Sequence, residues 1–158
     1  RSFQIPRPFI GMSVLENLLV PLDYKHNVHN KEQRALELLQ SVGLHNRAQD
    51  PSGSLSQLEL RKLELARALA SDPKVLIADE AMAGLSDTEI DEVLDILMRL
   101  NESGVAIIMI EHIMHAVMRF SQRVVCFDTG QLIAAGTANE IANNEIVQKV
   151  YFGEQTHH

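Results

Sequence analysis

The sequence lacks most features that mark membrane, secreted or nucleic-acid-binding proteins. It has one cysteine, Cys126, and no tryptophan. No apolar run approaches the about 20 residues that span a bilayer, and the first residues have no apolar core of a signal peptide. The formal net charge of −7 argues against sequence-independent binding to the phosphate backbone of a nucleic acid. We therefore expect no nucleic-acid partner and no membrane span, and we expect Cys126 to be an inert, buried thiol in a reducing compartment.

What the sequence does contain is apolar periodicity with clear helix signals. Hydrophobic residues make up 46% of the 158 positions, enough to bury a core in one compact unit. The first half predicts three helices, each bounded by a capping and a breaking residue: one from Ser13 to Pro21, one from Asn30 to Gly43 and one from Ser56 to Ser71.

The second half alternates strands and helices. The patterns predict a strand at 75–80, a helix from Ser86 to Gly104, a strand at 105–110, a helix at 113–120, a hairpin of strands at 124–127 and 131–135, and short helices after Thr137 and near 147–152. The strands at 75–80 and 105–110 are apolar throughout, which is typical of strands buried on both faces of a parallel sheet. The expected fold is therefore α/β, a mostly parallel sheet flanked by helices with a helical subdomain.

Polar residues follow these two strands where each ends. Asp79 and Glu80 close the first strand, and Glu111 and His112 follow the second. The carboxyl ends of parallel strands meet at one edge, where open α/β sheets bind ligands. Two adjacent strand ends therefore offer carboxylates and an imidazole to one site.

Several segments in order carry a family resemblance. They are Arg1-Ser2-Phe3-Gln4, Met12-Ser13-Val14-Leu15-Glu16-Asn17, Leu55-Ser56 through Ala70, Val75 to Glu80, Ala83-Gly84-Leu85-Ser86, and His112. Together they resemble the nucleotide-binding subunit of ATP-binding cassette (ABC) transporters, most closely the branched-chain amino acid uptake group, over essentially the whole chain. This implies a P-loop NTPase-like fold, with the Q-loop, helical subdomain and signature helix in residues 1–71 and a RecA-like α/β part in residues 72–158.

The resemblance implies ATP and Mg²⁺ as cofactors and assigns residues to them. Gln4 would be the Q-loop glutamine that reaches the Mg²⁺ and the attacking water. Asp79 would hold Mg²⁺ through a coordinated water. Glu80 would be the catalytic residue that orients or deprotonates the attacking water, and His112 the switch histidine that donates to the γ-phosphate.

The signature and D-loop positions are also assigned by the resemblance. Ser56, at a helix N-terminus, brings a hydroxyl and a positive dipole end to a phosphate. Gln57, Leu58 and Glu59 replace the family's Gly-Gly-Gln, and the Leu58 side chain would occupy space where the backbone approaches the opposing subunit's nucleotide. Ser86 stands where the D-loop has aspartate.

The implied partners are membrane permease subunits, a second nucleotide-binding subunit, identical or not, and a solute-binding protein indirectly. The implied location is the cytoplasmic side of the cell membrane, as a peripheral subunit. The implied function is energising the uptake of branched-chain amino acids or a similar solute.

One motif of the family is absent, since Gly-x-x-x-x-Gly-Lys-Ser/Thr occurs nowhere in the sequence. That loop cradles phosphates and supplies a lysine, so this chain is interpreted as a fragment that is not expected to hydrolyse ATP alone. The alternative is a degenerate, non-hydrolytic interaction module that binds a permease or a partner ATPase subunit.

Two further patterns are not assigned a functional role. Histidine pairs at i, i+3 spacing, His26 with His29 and His112 with His115, could hold a metal, but the sequence offers no evident third ligand. Arg61-Lys62, with glutamates nearby, is expected to form a solvated helix face with weak ion pairs.

Overall fold

The computed structural model describes residues 2–3, 8–24 and 29–152. The chain divides into two compact units, one ending at Glu111 and the other beginning at His112. This division differs from the boundary at 71/72 implied by the resemblance, which stays a prediction. Among the described residues, every helix is too short or too polar to cross a bilayer.

The elements follow the predicted order. The strands are β1 (Ser2–Phe3), β2 (Val75–Asp79), β3 (Ala106–Ile110), β4 (Val124–Asp128) and β5 (Gln131–Gly136). The α-helices are α1 (Val14–Asp23), α2 (Lys31–Ser41), α3 (Gln57–Leu69), α4 (Asp87–Glu102), α5 (Met114–Phe120), α6 (Ala138–Ala142) and α7 (Glu145–Phe152). Two short 3₁₀ turns, His45–Arg47 and Ser52–Ser54, lie between α2 and α3.

The sheet of the first unit is parallel and places β2 between β1 and β3. Val75 pairs with Ala106, and the register continues to Asp79 opposite Ile110. The carboxyl ends of β2 and β3 therefore lie side by side. This adjacency is what the sequence predicted for the two strand ends.

The expectation that both strands are buried on both faces was wrong. Leu76 and Ala78 are fully buried, whereas Ile108 and Ile110 are each 51% exposed. The described elements bury Leu76 and Ala78 fully and leave the opposite face, where Ile77 is half-buried, only partly covered. An apolar strand sequence indicates that both faces can be buried. Whether they are buried depends on the elements that pack against the sheet.

Helices α1, α2 and α3 pack against one another and form the helical part of the first unit. Each helix contributes fully buried leucines to the core, among them Leu18, Leu39 and Leu63. Helix α1 continues past Pro21, where the sequence predicted a stop. Proline is disfavoured within a helix, but Leu22, one turn after Leu18, is 1% exposed, and its burial offsets that cost.

The second unit is a hairpin with short helices. Strands β4 and β5 are antiparallel, and their inner face packs with α6 and α7 around a cluster of Cys126, Ile141 and Val147. Cys126 is buried, as predicted, and burial raises the pKa of its thiol. The thiol is therefore poorly ionised and weakly reactive at neutral pH.

Candidate functional site

The acidic pair lies at the carboxyl end of the central strand of the described sheet. Asp79 is the last residue of β2 and is half-buried, whereas Glu80 is exposed. The N–H of Glu80 donates to the carbonyl oxygen of Ile110 at 3.0 Å. Glu80 has a φ of +48°, a left-handed conformation that costs a non-glycine residue about 1 kcal/mol. The chain thus leaves the strand direction immediately after Asp79, and a hydrogen bond to β3 fixes that turn.

The segment that begins at Glu80, residues 80–86, is called the β2–α4 loop here, and its middle residues are anchored. The N–H of Met82, which is fully buried, donates to Oε1 of Glu111 at 3.0 Å. The carbonyl oxygen of Ala83 accepts hydrogen bonds from Nε2 of Gln57 and from Nη2 of Arg61, each at 3.3 Å. The loop that carries Glu80 is therefore held by the end of β3 on one side and by α3 on the other.

Ser56 and Glu59 order the N-terminus of α3. Ser56 Oγ accepts the N–H of Glu59 at 3.3 Å, and Glu59 Oε2 accepts the N–H of Ser56 at 2.8 Å. Glu59 Oε1 also accepts from Nη1 of Arg47 at 2.8 Å. The Ser-x-x-Glu spacing would have predicted this capping box. Both side chains thus have a structural role besides any contact with nucleotide.

Gln57 and Leu58 follow on the first turn of α3. The Gln57 side chain is exposed and reaches the β2–α4 loop, where its Nε2 lies 2.8 Å from the point that a Cβ on Gly84 would occupy. Gly84 has a φ of +79°, a left-handed conformation that favours glycine, and a side chain here would displace the Gln57 amide. Leu58 is half-buried within this chain.

The prediction that Arg61-Lys62 forms a solvated face was wrong. Arg61 is 5% exposed and Lys62 is 7% exposed. Lys62 forms an ion pair with Glu92 of α4. Helix α3 is enclosed over most of its surface, and no local signal distinguishes an enclosed basic pair from an exposed one.

The electrostatic surroundings of Arg61 come from two carboxylates. Burial lowers the pKa of the Arg61 guanidinium, and the negative charges of Glu111 and Glu64 oppose that shift. Because arginine titrates far above neutrality, Arg61 stays protonated and supplies a positive charge between α3 and the end of β3.

Ser86 ends the β2–α4 loop and caps α4. Its N–H and its Oγ both donate to Oε2 of Glu89 at 2.8 Å. These two hydrogen bonds, the backbone one first, lower the pKa of Glu89. The cap was predicted from the sequence, and the assignment of Ser86 to a nucleotide contact stays a prediction.

Two other predicted site residues, Gln4 and His112, keep their assignments as predictions. Gln4 lies outside the described residues, and so does His26. His112 is exposed and is the first residue of the second unit. The convergence of His112 with Asp79 and Glu80 therefore stays a prediction.

A magnesium ion fits the donors at the end of β2. Mg²⁺ is commonly held by one or two carboxylates, with waters and phosphate oxygens completing the shell. Asp79 supplies a half-buried carboxylate of this kind. In the described part of the chain there is no cluster of three histidine, cysteine or acidic side chains that would suit a protein-only metal site.

The chain is similar in sequence to known proteins. A profile described as ABC transporter matches residues 2–83. The chain is 33% identical over 168 residues to the Archaeoglobus fulgidus protein named Probable branched-chain amino acid transport ATP-binding protein LivG, covering 98% of this chain and 65% of that protein. It is 32% identical over 148 residues to the Escherichia coli K12 lipopolysaccharide export system ATP-binding protein LptB, covering 92% of this chain and 61% of that protein. The chain thus spans less than two thirds of the length of these relatives.

Solved structures show the same fold. The ADP conformation of MJ1267, an ATP-binding cassette of an ABC transporter, superposes with a TM-score of 0.82 at 26% identity, covering 96% of this chain and 67% of that one. The cbiO1 protein of Clostridium perfringens, part of the ABC transporter complex cbiONQ, gives a TM-score of 0.79 at 26% identity, covering 92% of this chain and 59% of that one. The α/β architecture is therefore that of an ABC ATPase domain with a P-loop NTPase fold, and the chain belongs to the ABC transporter family.

Proposed function

We propose that this chain is part of an ATP-hydrolysing subunit of an ABC importer that moves branched-chain amino acids or a similar solute. The observation that carries the proposal is the acidic pair at the end of β2. Asp79 continues the strand, Glu80 turns out of it, and a hydrogen bond to Ile110 holds that turn. Two carboxylates that leave the backbone in different local conformations can take different roles.

The roles follow from what each residue can bind or move. Asp79 would hold Mg²⁺ through a water, and Gln4 would also reach the ion. Mg²⁺, when bound, offsets the negative charge of the phosphates. Glu80 accepts a proton from, or orients, the attacking water, and His112 donates a hydrogen bond to the terminal phosphate.

The first turn of α3 and the β2–α4 loop complete the proposed nucleotide contacts. Ser56, Gln57, Leu58 and Glu59 would face the nucleotide held by a second ATPase subunit, identical to this one or not. Ser86, at the D-loop position, would add a further contact with nucleotide. Support for a two-subunit arrangement comes from a similar solved structure, the dimeric post-hydrolysis state of the ATP-binding cassette MJ0796 bound to ADP and Pi.

The proposed partners are membrane permease subunits and, through them, a solute-binding protein. The subunit would lie peripherally on the cytoplasmic side of the membrane. The LivG name supports amino acid uptake, and LptB, at nearly the same identity, is named for lipopolysaccharide export. Uptake of labelled leucine in cells that carry Glu80→Gln tests the solute class, because uptake equal to that of wild type would contradict the proposal.

Hydrolysis by the complete gene product tests the chemistry. Glu80→Gln is expected to lower kcat by about 10² to 10⁴ with KM for ATP little changed, because the amide cannot take a proton. Glu102→Gln, at the far end of α4, is the matched control and should retain wild-type turnover. Unchanged turnover in Glu80→Gln would remove Glu80 from this role.

The 158-residue chain alone is expected not to bind ATP tightly, because it contains no Gly-x-x-x-x-Gly-Lys-Ser/Thr segment. Calorimetry measures this directly. Micromolar affinity would show that the phosphates are held by groups other than such a loop.

A further inference from the structure

Glu111 has no role in the proposed chemistry, yet it is built into the loop that carries Glu80. It follows directly after the last residue of β3, and its Oε1 accepts the N–H of Met82 at 3.0 Å. Its Oε2 is buried and has no hydrogen-bond partner among the described residues. A carboxylate oxygen buried in this way is costly unless a nearby positive charge stabilises it.

Arg61 supplies that positive charge. It is 5% exposed, and the negative charges of two carboxylates act on it, with Glu111 having the larger effect. Arg61 also donates to the carbonyl oxygen of Ala83 at 3.3 Å. The pair therefore contacts consecutive residues of the β2–α4 loop, with Glu111 at the N–H of Met82 and Arg61 at the carbonyl of Ala83.

These contacts lie close to Glu80 along the chain. Met82 is two residues after Glu80, and Ala81 between them is fully buried. Glu80 itself is in a left-handed conformation, with a φ of +48°. A strained residue keeps its conformation only when the surrounding structure fixes it. Here the N–H of Glu80 itself is bonded to Ile110, and the N–H of Met82 is bonded to Glu111.

We infer that Glu111 and Arg61 are positioning residues that fix the β2–α4 loop, and through it the orientation of Glu80, by bracketing Met82 and Ala83 with opposite charges. The inference rests on the proposed function in that Glu80 is the group being positioned. It adds two residues that act through Glu80 and do not touch the nucleotide. It also assigns Arg61, which is buried on α3, a role beyond packing.

Amide hydrogen exchange of the 158-residue chain tests the positioning without any nucleotide. In Glu111→Ala, exchange at Met82 should speed up about tenfold or more, since a hydrogen bond to a charged acceptor is lost. Amides in the middle of α4, at Leu94 and Leu97, should keep their wild-type rates. Glu102→Ala is the control and should leave both sets unchanged.

Two further variants, Glu111→Gln and Arg61→Met, test the contribution of charge and guard against a variant that fails to fold. Glu111→Gln keeps an acceptor for Met82 but removes the charge that faces Arg61, so its effect should be smaller than that of Glu111→Ala. Arg61→Met should speed exchange at Met82 as well, because Glu111 then loses its counter-charge. Exchange that rises equally at Met82 and in α4 would show general destabilisation and would overturn the inference.

Hydrolysis by the complete gene product then gives the functional readout. Glu111→Ala and Arg61→Met should lower kcat by about 10- to 100-fold while KM for ATP stays near the wild-type value, as expected when a reacting group is misplaced. If Glu80→Gln stops hydrolysis but Glu111→Ala leaves kcat unchanged, the inference fails and the proposed function stands. If Glu80→Gln itself has no effect, the proposed function fails, and the positioning of a catalytic Glu80 fails with it.

Discussion

The side-chain amide of Gln57 lies 2.8 Å from the point at which a Cβ on Gly84 would stand. Gln57 is on the first turn of α3, and Gly84 is in the β2–α4 loop. The same amide donates to the carbonyl of Ala83. The first turn of α3 therefore lies directly against the loop that follows the acidic pair, within one unit of the chain.

Gly84→Ala should lower the free energy of unfolding by about 1–2 kcal/mol, because alanine is strained at positive φ and its methyl group would displace Gln57. Gly104→Ala is the matched control, since Gly104 has a φ of +101° but open space around its Cβ position. Both variants should lose stability in urea unfolding. Only Gly84→Ala should shift the Gln57 side-chain amide resonance, and an unshifted resonance would contradict the contact.

Asn17→Leu should destabilise the first unit by about 2 kcal/mol, because a buried asparagine bonded to backbone is replaced by a side chain that cannot bond. Asn17 is fully buried, accepts the N–H of Phe9 at 2.8 Å, and donates to the carbonyls of Phe9 and Ser13 at 3.2 and 2.9 Å. Chemical denaturation measures the change. The exposed Asn46→Ala should stay within about 0.5 kcal/mol of wild type, and equal effects at both sites would refute a special role for Asn17.

The cap of α4 should make stability depend on pH in the acid range. Hydrogen bonds from Ser86 lower the pKa of Glu89 below its ordinary value of 4.5 in the folded chain. The folded state therefore binds fewer protons than the unfolded state near that pH. The stabilisation is fully present above about pH 4.5 and is lost as the pH falls through the lower, folded pKa.

Urea unfolding at several pH values measures this contribution by comparing wild type with Glu89→Gln. The glutamine can keep the cap but does not titrate, so the acid-range slope should be shallower in this variant. Glu102→Gln, at the other end of α4, controls for loss of one carboxylate. Glu140 has the same kind of hydrogen bonds from Thr137 and a lowered pKa, so some slope should persist in Glu89→Gln. Identical slopes in all three proteins would rule out the Glu89 contribution.

Leu58→Gly should change ATP-dependent dimerisation of the complete gene product only slightly, because Leu58 is already half-buried within this chain. Leu60→Gly, on the same helix and also half-buried, controls for the loss of about 1 kcal/mol that glycine brings to a helix. Sedimentation with and without ATP measures the effect. A gain of about tenfold or more in Leu58→Gly alone would favour the non-hydrolytic alternative, in which Leu58 blocks the site.

The features that sequence reasoning predicted correctly depend on residues close together in the chain. The cap joins Ser86 to Glu89, three positions later in the chain. The end of α2 at Gly43 depends only on a local left-handed turn. The strand that ends at Asp79 follows from a short apolar run, and the adjacency of its end to that of β3 follows from parallel pairing. Local hydrogen bonds and side-chain periodicity suffice for each of these.

Other features required contacts between distant parts of the chain. Glu111 and Met82 are 29 residues apart, and Arg61 and Ala83 are 22 apart. The burial of Arg61, the continuation of α1 through Pro21 and the unequal burial of the two faces of the sheet also depend on what packs nearby. The sequence by itself determined the order of elements and the acidic pair at the end of β2. Tertiary structure alone decided which polar groups are enclosed together, because the cost of burying a charge is set by neighbours that no local pattern specifies.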